Sequence, residues 1–155
     1  MKLSLVIFIA LISSQAHSTQ LSSFETDYCT GFSEGPSAKK PRLWADCCLA
    51  HDMRYWFGGT KKQRKRADVI LRQCVKRKSN QHWANLMYLG VTIGHASPIK
   101  HKHAWGWGWN DGVKFRNLTP QEWKLVARSL HQLDVPKHVL VQFLSDYDIT
   151  FLKTL

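Results

Sequence analysis

Four cysteines, two of them adjacent, constrain the fold of this chain more than any other feature. Cys29, Cys47, Cys48 and Cys74 all follow an N-terminal stretch with the layout of a secretory leader. Met1 and Lys2 form a short positive start and Leu3 to Ile12 an apolar run; Ala16 and Ser18 give the small-residue spacing of a cleavage site before Thr19. That apolar run is too short to span a bilayer comfortably. An even number of cysteines in an exported chain predicts two disulfides, because the compartment is oxidising. Zinc is the rival use of thiolates, but adjacent Cys47 and Cys48 do not make the CxxC knuckle that zinc sites favour. The expectation is therefore a leader over 1–18, a secreted or periplasmic location, and one domain over 19–155.

A chain of 155 residues is long enough for a single core. With 22 Lys and Arg against 11 Asp and Glu, it stays strongly basic after Lys2 leaves with the leader. Such a surface favours anionic partners: phospholipid headgroups, lipopolysaccharide or nucleic acid. No recognised nucleic-acid motif accompanies the charge, and export argues against that partner. Oligomeric state is not legible.

The pattern along the chain predicts a mainly helical, all-α fold. "YCTGFSEGPSAKKP" (28–41) reads as an irregular loop. Leu43 to Phe57 reads as a helix closed by Gly58-Gly59. Thr60 with Gln63 forms a capping box for a second helix. It opens on the exposed basic run Lys61 to Arg66, which reads as a solvated helix face with membrane docking as the alternative, shows apolar positions at Ile70, Leu71, Cys74 and Val75, and ends near Ser79. Asn80 caps a third helix carrying Trp83, Leu86, Met87 and Gly90. Thr119, Pro120 and Glu122 start a fourth, and Pro136 starts a last one through Val139, Leu140, Phe143, Leu144 and Tyr147. Between them, Trp105, Trp107 and Trp109 alternate with glycine. As an extended strand this would put three indoles on one face, over the helices or at a lipid or sugar surface. His101 and His103 read as surface residues.

The chemistry-bearing residues cluster in "DCCLAHDMRYW" (46–56). Cys47 and His51 are four apart on one face; Cys48 and Asp52 form a second such pair, turned about 100° from the first. Tyr55 lies near both His51 and Asp52. If Cys47 is bonded to Cys74, the first two helices lie side by side, and the short Gly58-Gly59-Thr60 link makes them antiparallel. Asp68 then comes level with the His51 ring. A carboxylate holding one imidazole nitrogen leaves the other free to take a proton from water. Asp52 faces the loop containing Cys29, where carboxylate and carbonyl oxygens would suit a hard cation such as calcium.

The stretches "YC" (28–29), "CCLAHDMRYW" (47–56) and "ADVILRQCV" (67–75) resemble secreted phospholipase A2 proteins, especially the small, mainly helical bacterial and fungal forms. The resemblance implies a core of two antiparallel, disulfide-linked helices with a preceding calcium-type loop, to which this chain adds C-terminal helices. It implies calcium-dependent hydrolysis of the sn-2 ester of glycerophospholipids at a membrane surface. His51 would be the general base, Asp68 its orienting carboxylate and Tyr55 a hydrogen-bond partner of Asp68. Asp52 and the carbonyls of Tyr28, Thr30 and Phe32 would hold calcium. The pairings implied are Cys29–Cys48 and Cys47–Cys74. Arg54 and Ala67 stand where many members of that family carry a further bonded cysteine pair, and Phe32 where they usually carry glycine. The alternative is a phospholipase-like scaffold of little or no activity that binds anionic membranes.

Overall fold

The computed structural model describes residues 20–96, 102–110 and 115–146. The expected leader over 1–18, His101 and Tyr147 lie outside them. The described residues form five helices: α1 (Ala45–Phe57), α2 (Lys61–Lys78), α3 (Gln81–Ala96), α4 (Pro120–His131) and α5 (Lys137–Asp146). Extended pairing among the described residues is limited to isolated bridges, Leu21 with Trp109 and Ser37 with Lys40. The described residues are mainly helical and consistent with the all-α fold that the pattern predicts. No helix among the described residues is long and apolar enough to cross a membrane.

The centre of the molecule is α1, buried on nearly every side. Leu49, Met53, Trp56 and Phe57 pack with Leu118, Val126, Ala127 and Leu130 around α4 and with Val139 and Phe143 of α5. On its other side Trp44, Cys47 and Cys48 pack with Leu71 and Val75 of α2 and Ala84 and Met87 of α3. A helix enclosed in this way has no polar face to spare, so its charged side chains must find protein partners. Arg54 does so by donating from Nη1 to the Ala50 carbonyl and from Nη2 to Asp146 Oδ2 at 2.8 Å, while its guanidinium lies over the Phe143 ring. It ties α1 to α5.

Both disulfides form, Cys29 to Cys48 and Cys47 to Cys74, and no cysteine is free. They fit an oxidising compartment. The first ties the 28–41 loop to α1; the second joins α1 to α2. The predicted caps are present: Thr60 with Gln63 and Thr119 with Glu122 each form a reciprocal capping box, and Asn80 Oδ1 accepts from the Trp83 amide.

The Trp/Gly segment departs from expectation. It is not an extended strand but a pair of tight turns, closed by Trp107 N to Ala104 O at 3.0 Å and Trp109 N to Gly106 O at 3.2 Å. The three indoles do not share a face: Trp105 and Trp109 are buried and Trp107 half-buried. The reason lies at the end of α1. The last carbonyls of any helix lack intrahelical partners, and here the end is enclosed, away from water. Gly106 N donates to Tyr55 O at 2.6 Å, Gly108 N to Trp56 O at 2.9 Å and Trp109 Nε1 to Phe57 O at 2.7 Å. Trp105 Nε1 adds a bond to Gly59 O at 2.8 Å. The glycines let the two backbones touch: a Cβ at Gly108 would lie 2.5 Å from the Trp56 ring. "WGWGW" is the C-terminal cap of α1.

Candidate active site

The side-by-side packing of α1 and α2, with Cys47–Cys74 at one end, brings His51 and Asp68 together. His51 Nε2 lies 3.0 Å from Asp68 Oδ1, and both side chains are buried. A carboxylate only accepts, so Nε2 carries the proton and Nδ1 is the basic nitrogen. Nδ1 makes no hydrogen bond among the described residues and is not sealed from solvent. Tyr55, four residues beyond His51, donates its hydroxyl to the same Asp68 oxygen at 2.8 Å, and its ring lies against the imidazole. Trp105 packs edge-on against Tyr55, and with Ala67 they form a small buried cluster that closes the site from behind.

Asp68 is held from the other side by a residue the sequence reading placed on a solvated face. Arg64, within the run "KKQRKR", is buried and donates from Nη1 to Asp68 Oδ2 at 2.7 Å. Its signal was present, an Arg four residues before an Asp on one helix, but the neighbouring lysines masked it. Three donors converge on Asp68 and fix its plane. Burial pushes the His51 pKa below the ordinary imidazole value; the hydrogen bond and charge of Asp68 oppose this, and the charges of Arg54 and Arg64 reinforce it. The ring is thus neutral near pH 7, as a general base requires. Burial likewise raises the Tyr55 hydroxyl, with Asp68 reinforcing it, so that hydroxyl remains a donor.

Asp52 points away from this dyad, toward the N-terminal loop. Its Oδ2 accepts from the Thr26 hydroxyl at 2.6 Å, and Thr26 Oγ1 in turn accepts from the Tyr28 amide at 2.9 Å. Thr26, which no pattern singled out, is therefore the link between Asp52 and the loop. Asp52 has no cationic partner among the described residues, and Oδ1 makes no hydrogen bond there and is not sealed from solvent. Burial raises its pKa from 3.8 to about 7; the Thr26 bond opposes the rise and the charge of Asp27 adds to it. A buried carboxylate with an open oxygen and a second carboxylate nearby fits a hard cation, the missing charge partner.

The other three residues expected around such a cation are placed unequally. Tyr28 adopts a positive φ of 59°, under the Arg42 guanidinium, and reaches Asp52 through Thr26. Thr30 is exposed, its hydroxyl donating to Asp27 Oδ1. Phe32 sends its ring edge-on against Trp83 and its amide to the Cys29 carbonyl. Among the described residues no three His, Cys, Asp or Glu side chains converge as a metal set. A cation at Asp52 would therefore draw on backbone, water or substrate oxygens. His103 is not the surface residue expected: only 18% of its side chain is exposed, Nδ1 faces Asp27 Oδ1 at 3.4 Å, and its ring lies against Trp107. No family model, curated protein or solved structure matches this chain.

Proposed function

We propose that this protein is a phospholipase A2-like hydrolase that cleaves the sn-2 ester of glycerophospholipids with the help of calcium. The observation that carries this reading is the buried His51–Asp68 pair, with Nδ1 unbonded among the described residues and Asp52 one residue further along α1. In this reading water bound at Nδ1 loses a proton to His51 as its oxygen attacks the ester carbonyl carbon. Asp68 stabilises the imidazolium that forms. The tetrahedral adduct then collapses, the bond to the glycerol oxygen breaks, and His51 returns the proton to that leaving oxygen. The products are a fatty acid and a lysophospholipid, and no covalent enzyme intermediate is needed. Calcium at Asp52, with loop carbonyls such as that of Tyr28, would supply positive charge for the substrate phosphate and the developing oxyanion. Tyr55 and Arg64 act by fixing Asp68, not by touching substrate.

The test is release of fatty acid from phosphatidylglycerol vesicles with and without calcium. His51→Gln should reduce the rate by roughly 10²–10⁴-fold, and chelation should do likewise. Undiminished hydrolysis in His51→Gln would refute the assignment. The second reading is a membrane-binding scaffold without turnover, and Phe32 favours it, because its ring is committed to Trp83. Vesicle binding with no product at any calcium concentration would decide for it.

A further inference from the structure

The surface of α3 carries aliphatic side chains that the fold does not use. Leu86, Leu89 and Ile93 are 41%, 53% and 61% exposed. Their spacing of three and four residues lines them up on one narrow stripe. The opposite face of the same helix (Trp83, Ala84, Met87, Val91) is the one packed into the core, so the stripe is surplus apolar surface.

The border of the stripe is positive. α2 lies alongside α3: Arg72 Nε donates to Asn85 Oδ1 at 2.9 Å, and its guanidinium covers the Tyr88 ring. This contact sets the register between two helices that the short Ser79-Asn80 turn makes antiparallel. Lys65 and Lys76 share the Arg72 face of α2, seven residues before and four after it, with Val69 between, itself 39% exposed. From residue 61 to 96 the sole acid is Asp68, which is buried against His51. No carboxylate of these two helices competes for the positive row.

We propose that this α2–α3 face docks the protein on an anionic phospholipid surface. Leu86, Leu89 and Ile93 enter the acyl boundary, while Lys65, Arg72 and Lys76 meet headgroup phosphates. A nucleic acid would engage the charges and leave three adjacent aliphatic side chains without a role. A second copy of the chain would set like charges against each other. The proposal rests on the hydrolase reading for its biological sense, but not for its measurement. It also replaces the Trp105–Trp109 segment as the lipid-facing element, since the indoles of Trp105 and Trp109 are engaged at the end of α1.

The experiment is co-sedimentation of the protein with vesicles, in chelator so that no turnover occurs. Phosphatidylglycerol vesicles should bind it and phosphatidylcholine vesicles should bind it far more weakly. Leu89→Ser with Ile93→Ser should lower partitioning by roughly tenfold or more. Both positions are more than half exposed, so the fold should survive, as circular dichroism would verify. Lys65→Gln with Lys76→Gln is the independent second variant; it should lower partitioning roughly fivefold per charge and flatten the salt dependence. Equal binding to both lipids, or unchanged binding in the Leu89/Ile93 variant, would overturn the proposal. So would concentration-dependent dimerisation that the same variant abolishes, which would assign the face to a second copy. Hydrolysis of a short-chain phospholipid below its micelle concentration separates the two readings. Turnover there without vesicle binding refutes the docking face alone; vesicle binding with no turnover refutes the hydrolase alone.

Discussion

Arg64 Nη1 lies 2.7 Å from Asp68 Oδ2, one helical turn along α2, and both side chains are shut away from solvent. The orienting carboxylate of the candidate dyad is therefore neutralised from within its own helix, and the imidazole need not be charged to balance it.

Replacing Arg64 by Met should have two separable effects. Asp68 Oδ2 loses its partner while still buried, which should cost about 1–3 kcal/mol of stability. Arg64 also holds the His51 pKa down by its charge, so its loss should move the acid limb of the pH–rate profile to higher pH. A stability loss with an unmoved acid limb would show that Arg64 is packing alone.

In the unmodified protein that acid limb should lie below pH 6.5. Burial is the largest influence on His51 and disfavours the imidazolium. The folding linkage has the same sign. Because the folded-state pKa is lowered, protons bind the unfolded chain better, and stability contributed by this group declines as pH falls through 6.5. Kinetics under subsaturating substrate would report the first effect and thermal melts across pH 5 to 8 the second. An acid limb above 6.5 would mean that Asp68 outweighs burial.

Protons and calcium should compete for Asp52. Its pKa of about 7 in the absence of metal, against an ordinary 3.8, means the folded state holds a proton that the unfolded chain has released. Without calcium, stability should fall as pH rises between those two values. Asp52→Asn, which keeps an acceptor for Thr26, should remove that slope. Calcium needs the ionised form, so its affinity should be weak, about 0.1–1 mM, and should drop roughly tenfold per pH unit below 7. Calorimetric titration at pH 6 and pH 8, with Asp52→Asn as control, checks this; pH-independent calcium binding that survives in Asp52→Asn would place any cation elsewhere.

The helices and the dyad were legible because local rules decide them. Thr60 with Gln63 and Thr119 with Glu122 are capping boxes in sequence and in structure. The four-residue spacing of His51 from Cys47, with Asp68 six before Cys74, survives because one disulfide sets the register of α1 on α2. What was not legible depends on contacts between distant segments. Trp105, Trp107 and Trp109 alternate as a strand would, but enclosing the end of α1 requires donors, and the alternation serves amides and indoles instead of a sheet face. Thr26 carries no periodic signal, since it acts through a side chain that reaches Asp52 across 26 residues. Arg64 was hidden by its neighbours: in a run of basic residues, the one that turns inward looks like the rest.

The junction between α1 and the Trp/Gly segment should tolerate substitution poorly. Gly58 ends α1 with its amide on the Arg54 carbonyl at 3.1 Å and with φ 69°, a conformation that L side chains rarely adopt. A Cβ there would also lie 2.6 Å from Gly106 Cα, which is backbone and cannot rotate away. Alanine at 58 would therefore combine strain of about 1–3 kcal/mol with displacement of the amides that satisfy Tyr55 and Trp56. Each carbonyl left unpaired in a buried setting adds about 1–3 kcal/mol. Gly58→Ala should lower stability by roughly 3 kcal/mol or more, whereas Gly90→Ala, on an open face of α3 with nothing within 4 Å of its new methyl, should be neutral or stabilising. Chemical denaturation of the two variants side by side measures the contrast. Equal stabilities would mean that the Trp/Gly segment does not cap α1 in solution.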